Sequence, residues 1–192
     1  MAEASPRLHL VPNRECGTCT VCCYALPIDT KEMRKESGAV CEHCDGRSCR
    51  IYATRPENCR DFYCGWRLLP QLGDDWRPDM CGVLVSPQGE NIPAHYELRE
   101  GIEFMILGGE AAVTRPGFSE FVAMLVARRV PVFFAIPGPV GTVAARAFAN
   151  DILAPVVAQR NGNAMISALL GMLDAAKTHR YLPDSFQHAP SA

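Results

Sequence analysis

The sequence predicts an α+β protein. A small, loop-rich cysteine module packs on an α+β C-terminal part that carries a short antiparallel sheet and three helices. Three observations lead there. Nine of the ten cysteines lie between Cys16 and Cys64, in a stretch with little aliphatic bulk. Ala, Val, Leu, Ile and Phe concentrate after residue 81. Within that second stretch, short strand-like runs alternate with segments whose apolar residues recur at helical spacing.

The expected division is a flexible arm over residues 1-14, a cysteine-rich metal-binding module over 15-80, an α+β part over 81-180 packed on it as one unit, and a frayed tail over 181-192. In the module, Asp29 is positioned to cap a helix from Thr30 to Ser37, with Glu32 three residues on and Gly38 to end it. A second helix begins after Thr54, where Pro56 suits a first turn, and Cys59 rides on it. The rest of the module reads as loop. It has too little apolar surface to offset its ordering entropy, so other cross-links are needed.

In the C-terminal part, residues 82-86 and 92-98 flank a turn-rich stretch and suggest a hairpin. Residues 103-107 add a strand. Phe118, Phe121, Val122 and Leu125 recur at helical spacing, which gives a helix near 117-129. Residues 130-136 read as a buried strand. Thr142 is a candidate cap for a helix that Pro155 discourages from continuing, and Asn163 for a last helix with Met165, Ile166, Leu169, Leu170 and Leu173 on one face.

Charge and hydropathy exclude several classes of function. A net charge of -2 supplies no basic field to draw the chain onto nucleic acid or an anionic membrane. No run reaches the length of a membrane span, and the first residues have no apolar core of signal-peptide length. The expected compartment is the cytoplasm, with no membrane association. Thiols there stay reduced, which disfavours a disulfide framework and favours ligation.

Cys16/Cys19, Cys19/Cys22 and Cys41/Cys44 have the Cys-x-x-Cys spacing that lets two sulfurs share one metal. Thiolates are soft ligands that select zinc or iron–sulfur clusters over calcium or magnesium. Adjacent Cys22 and Cys23 can serve two sites, or one can be spare. Nine candidates allow one four-ligand site with five thiols over, or two with one over. A four-thiolate zinc site carries a net negative charge and wants donors around it. Arg47, Arg50, Arg55, Arg60 and Arg67 can supply them, or can pair with Glu42, Asp45, Glu57 and Asp61 in solvent. His43 reads as the tip of a knuckle rather than a ligand, His95 as packing, and Cys81 as a small buried side chain. Gly138 to Gly141 matches no phosphate-binding pattern and reads as a connector.

The order Cys16-x-x-Cys19-x-x-Cys22-Cys23, then Cys49-x-Ile51-Tyr52-x-x-Arg55-Pro56-x-x-Cys59, then Cys64, resembles the bacterial YkgJ-type cysteine-cluster family of zinc- or iron-chelating proteins. The likeness covers roughly residues 15-70. It implies a metal-binding module held by Cys16, Cys19, Cys22, Cys23, Cys49, Cys59 and Cys64. Cys41 and Cys44 rest on their own spacing. A flagellin lysine methylase stands as a distant relative of that family, which leaves catalysis open.

The expected function is therefore a cytoplasmic protein coordinating zinc or iron, as ions or an iron–sulfur cluster. One alternative is an iron–sulfur-dependent enzyme, such as a protein methylase or a redox protein. The other is a zinc-knuckle interaction module with a protein partner. Tyr52, Phe62, Tyr63 and Trp66 could stack on bases, but they read better as the small core of a small metal domain.

Overall fold

The computed structural model describes residues 9–184 and is a mixed α+β fold with eight α-helices and two sheets. Its first third holds α1 (Val21–Ala25), a two-stranded sheet of β1 (Ile28–Asp29) and β2 (Arg34–Lys35), α2 (Glu57–Asp61), α3 (Gly65–Leu68) and α4 (Pro78–Cys81). The remainder holds β3 (Val83–Gln88), β4 (Gly101–Ile106), α5 (Gly109–Val113), α6 (Phe118–Ala127), β5 (Val132–Ile136), β6 (Ala145–Phe148), α7 (Ala149–Ala158) and α8 (Gly162–Lys177). Among the described residues, no helix is long and apolar enough to cross a membrane.

The large sheet has the order β3-β4-β5-β6. Its outer pairs are antiparallel and its central pair, β4 with β5, is parallel. The expected antiparallel sheet is thus a mixed one. A parallel pair needs a crossover, and α5 and α6 provide it between β4 and β5.

Strand alternation gives the sheet two apolar faces. Val83, Val85, Phe104, Ile106, Val132 and Phe134 point to the helices, where Phe118, Val122, Leu153, Leu169 and Leu173 meet them. Leu84, Met105 and Ala135 point the other way and pack on Val21 and Ala25 of α1. The helix that carries Cys22 and Cys23 therefore lies on the sheet face opposite the large helices. Cys64 touches both cores, and Trp66, Leu72 and Trp76 sit in the helix-side core. Gly65 makes this approach possible: a Cβ there would lie 2.5 Å from Cγ1 of Val85.

Several local expectations are corrected. Residues 30-37 form no helix. Thr30 N–H donates to the Met33 carbonyl at 2.9 Å, and its hydroxyl accepts from Met33 N–H at 3.0 Å, closing a turn between β1 and β2. Met33 and Lys35 are buried and Arg34 is exposed, so a period of two prevails over the capping signal. The helix carrying Cys59 is present, but Pro56 flanks it and no side chain caps it. Residues 92-98 are a loop: Pro93 has no N–H to give a ladder, and β3 pairs directly with β4. Thr142 caps nothing; its hydroxyl donates to the Pro139 carbonyl at 2.7 Å, and residues 145-148 are the edge strand β6. Helix α7 starts at Ala149 and contains Pro155, which is exposed and close to its end. Buried Asn150 fixes its start by accepting from Val132 N–H at 2.7 Å and donating to the Val130 carbonyl at 2.9 Å. The last helix is capped by Asn161, not Asn163: its side chain accepts from the N–H groups of Asn163 and Ala164. The expected three helices of this part are joined by a fourth, the short α5.

Both ends of the described chain are tied down. Val11 N–H donates to the Arg67 carbonyl at 2.8 Å, and Arg14 donates to the carbonyls of Trp66 and Leu69 at 2.6 and 3.1 Å and to that of Leu72. At the other end, Val143 N–H donates to the Leu182 carbonyl and Asp184 N–H to the Gly141 carbonyl, both at 2.9 Å. Asp184 also accepts from Ser37 N–H at 3.1 Å, joining this segment to the cysteine zone. The outer parts of the expected arm and tail, residues 1–8 and 185–192, lie outside the described residues.

Candidate metal centre

All ten thiols are free. Two of the Cys-x-x-Cys units are turns closed by the main chain. Cys19 N–H donates to the Cys16 carbonyl at 2.8 Å, and Cys44 N–H to the Cys41 carbonyl at 2.9 Å. Cys22 and Cys23 follow on α1. Cys41 is tied back to that helix by its N–H, which donates to the Cys23 carbonyl at 2.9 Å. Cys44 and Cys49 face each other across an antiparallel bridge. The loop between them is held by Asp45, whose carboxylate accepts from the N–H groups of Arg47 and Ser48 at 2.8 and 2.6 Å. Cys59 sits on α2, and Cys64 immediately precedes α3.

These segments enclose one open cavity of about 450 Å³. Cys16, Cys19, Cys22, Cys23, Cys41, Cys49, Cys59 and Cys64 all line it. Cys44 lies off its wall but packs with Cys23, Cys41 and Cys59 against Ile28 and Met33. Cys81 is elsewhere, 6% exposed in the helix-side core, with its sulfur 3.3 Å from the Val83 carbonyl. His43 is on the cavity wall, its side chain one-third exposed and its Nε2 3.9 Å from a Glu42 carboxylate oxygen. His95 is exposed in the loop before β4, beside the ring of Tyr96.

Burial, and at Cys23 a neighbouring thiol, disfavour ionising four of these sulfurs. Burial, opposed by nearby N–H groups and reinforced by the Asp79 carboxylate, pushes the Cys19 thiol up to about 11. The neighbouring Cys22 thiol, and then burial, push Cys23 up. Cys59 is raised by burial and then by Cys41, Cys23 and Cys49. Burial raises Cys64 too, while the N–H groups of Arg67 and Trp66 pull it back.

Cationic and donor groups surround it. The expected arginines divide: Arg47, Arg50 and Arg60 are exposed, whereas Arg55 and Arg67 line the cavity. An Arg67 Nη1 lies 4.0 Å from the Cys16 sulfur. Among the described residues, the buried Nε–H groups of Arg55 and Arg67 and the indole N–H of Trp66 have no partner. Such orphans are rare in native proteins, and all three belong to side chains that line the cavity.

Lys35 was not legible in the sequence as part of the site. It is 7% exposed, and its ammonium donates to the carbonyls of Tyr24, Glu36 and Ala39 at 3.2, 3.1 and 2.9 Å. Burial lowers its pKa, and Cys41, Cys23, Cys22 and Cys59 act to raise it. The only sequence signal was its alternation with Met33 on β2. Asp79, held low by Arg77 against the effect of burial, is the other unexpected neighbour.

The aromatic residues do not form a stacking platform. Trp66 is 7% exposed and in the core, Phe62 and Tyr63 are half-buried, and exposed Tyr52 is covered by the Arg55 guanidinium 4.0 Å from its ring centre.

No family model, curated protein or solved structure matches the chain. Among the described residues, no three or more His, Cys, Asp and Glu side chains converge closely enough, as they stand, to hold a metal ion. The donor chemistry nevertheless fits a soft metal. Thiols bind such an ion as thiolates, with sulfurs about 2.3 Å from it.

Proposed function

We propose that this is a cytoplasmic metal–thiolate protein that binds zinc or iron through the cysteines of residues 16-64. One observation carries the proposal: eight cysteines from separate turns and helices face one cavity, while Cys81 lies apart in an apolar core. The likeness to the YkgJ-type family points the same way. Free thiols in this number suit a reducing compartment.

The metal, when bound, supplies the cross-links that this zone's small apolar core does not. The remaining work belongs to the chain's own residues. The cysteines give up their protons and bind as thiolates. Arg55, Arg67 and Trp66, with their unpartnered N–H groups, line the same cavity as the sulfurs, and Lys35 on β2 offsets part of the negative charge. Because several thiols are held above their ordinary value, metal binding must displace protons. Affinity is expected to rise with pH through the neutral range.

The test is elemental analysis and an optical spectrum on anaerobically purified full-length protein. Zinc or iron should be present. Cys59→Ser should lower the bound metal and loosen the first zone, and Cys81→Ser should leave the metal content intact. Freshly prepared, reduced protein that is metal-free yet ordered throughout would overturn the proposal.

A further inference from the structure

The sulfurs are not spread evenly around the cavity. Cys19 and Cys64 pack with Phe62 and Leu84, on the sheet side. Cys16 belongs with them: the same Arg67 whose N–H faces Cys64 brings its guanidinium to the Cys16 sulfur. Cys23, Cys41, Cys44 and Cys59 pack with Ile28 and Met33, under the β1–β2 hairpin. Cys49 joins this second set through its bridge to Cys44. Each set has its own cation, Arg67 beside the first and Lys35 beside the second.

Ligand count favours two occupants. One tetrahedral ion takes four sulfurs, and eight line the cavity.

We infer that the cavity holds two separate metal–thiolate centres that meet at α1. The first takes Cys16, Cys19, Cys22 and Cys64. The second takes Cys59, on α2, with three of the four thiols Cys23, Cys41, Cys44 and Cys49. Cys22 stands at the join, next to Cys23 and within the influence of Lys35. Its spacing assigns it: Cys16-x-x-Cys19-x-x-Cys22 is an unbroken run completed by one distant cysteine, a pattern that iron–sulfur centres use. The adjacent cysteines thus divide between neighbouring sites. Each centre that binds a divalent ion through four thiols releases four protons to solvent. The inference rests on the proposed metal-binding function and adds to it the number of centres and their ligands.

The experiment measures metal, and acid-labile sulfide where iron is found, per chain of anaerobically purified full-length protein. Wild type is compared with Cys64→Ser and Cys59→Ser. Each variant should keep about half of the wild-type load, and the two halves should differ in optical spectrum or in rate of removal by a chelator. Complete loss in both variants, with folding retained, would mean one shared centre and would overturn the inference while leaving metal binding standing. Metal-free wild type would remove the functional proposal itself. Where a variant does not fold, native mass spectrometry of partly stripped wild type decides. A half-loaded species supports two centres, and only full and empty chains refute them.

Discussion

The two regions of this chain differ in how much apolar side chain they bury. The helix-side core gathers twenty-two buried residues, led by Phe104, Phe118, Phe134, Leu153 and Leu169. Between residues 15 and 62 the buried apolar side chains are Val21, Ala25, Ile28, Met33 and Cys41. Of these, Val21 and Ala25 are used up in gripping the sheet. Fully burying one large apolar side chain contributes about 1.5–3 kcal/mol, and fixing one residue's backbone costs about 1–2 kcal/mol. Per residue ordered, the first region therefore offsets much less of this cost by packing than the second does. What the difference teaches is that sulfur density and apolar density are complementary along this chain: where one is low, the other is high.

The largest test of that contrast is metal removal. A structural zinc in a small cysteine site contributes an apparent 10–16 kcal/mol, roughly, at neutral pH. With a strong chelator under reducing conditions, amide exchange should become fast for Cys41, Cys44 and Met33, whose N–H bonds hold the cysteine loops together. The amides of β3, β4 and β5 should remain protected. Equal protection of both regions after stripping would mean that packing suffices throughout, and the comparison would fail. Alkalinity should act in the same direction on stripped protein. Folding raises several thiols above the ordinary value of 9.0. Their contribution is complete below that value and is lost as pH rises through the raised ones.

Next in size is Phe104→Ala. Phe104 is fully buried, with ring centres of Phe118 and Phe134 at 5.7 and 5.9 Å. Its truncation should cost about 3–5 kcal/mol. Chemical denaturation should show that loss in the β3–β6 transition, with metal content unchanged in protein that remains folded. A metal-dependent loss would show that the two regions share one cooperative unit through α1 and the back of the sheet.

The same contrast governs what the sequence could reveal. The apolar runs that became β3, β4 and β5, and the periodic ones that became α6 and α8, were readable because each buries a long, patterned face. Segments with mixed signals were not. Residues 30-37 carry a capping pattern, but the alternation of Met33, Arg34 and Lys35 decided the outcome through tertiary burial. Residues 92-98 look strand-like until Pro93 denies them a ladder. In the site, spacing revealed the Cys41/Cys44 turn. It could not reveal that Cys64 lies with Cys19, or Cys59 with Cys41, since those meetings depend on how the chain folds over the sheet. Lys35 was hidden for the same reason. A buried ammonium satisfied by three main-chain carbonyls has no local sequence pattern.

The smallest of these effects falls at the join between the regions. Arg14 follows no sequence motif, yet its guanidinium reaches the carbonyls of Trp66, Leu69 and Leu72 at the end of α3 and beyond it. It also lies 5.3 Å from the Trp66 ring centre, and its Nε is 3.7 Å from an Asp74 carboxylate oxygen that is mostly exposed. The exposed ion pair contributes little; the carbonyl contacts matter more, because hydrogen bonds involving a charged group are each worth about 1.5–3 kcal/mol. They share one side chain and are not additive. Arg14→Ala should therefore cost about 2 kcal/mol, and Arg14→Lys, whose single ammonium cannot span three carbonyls, should recover only part of it. The informative measurement is where the loss appears. If α3 is a rigid bridge, denaturation midpoints of both regions shift together, and any metal held through Cys64 should be released more readily. If only the β3–β6 transition moves, Arg14 serves the apolar core alone, and the cysteine region is the more independent of the two.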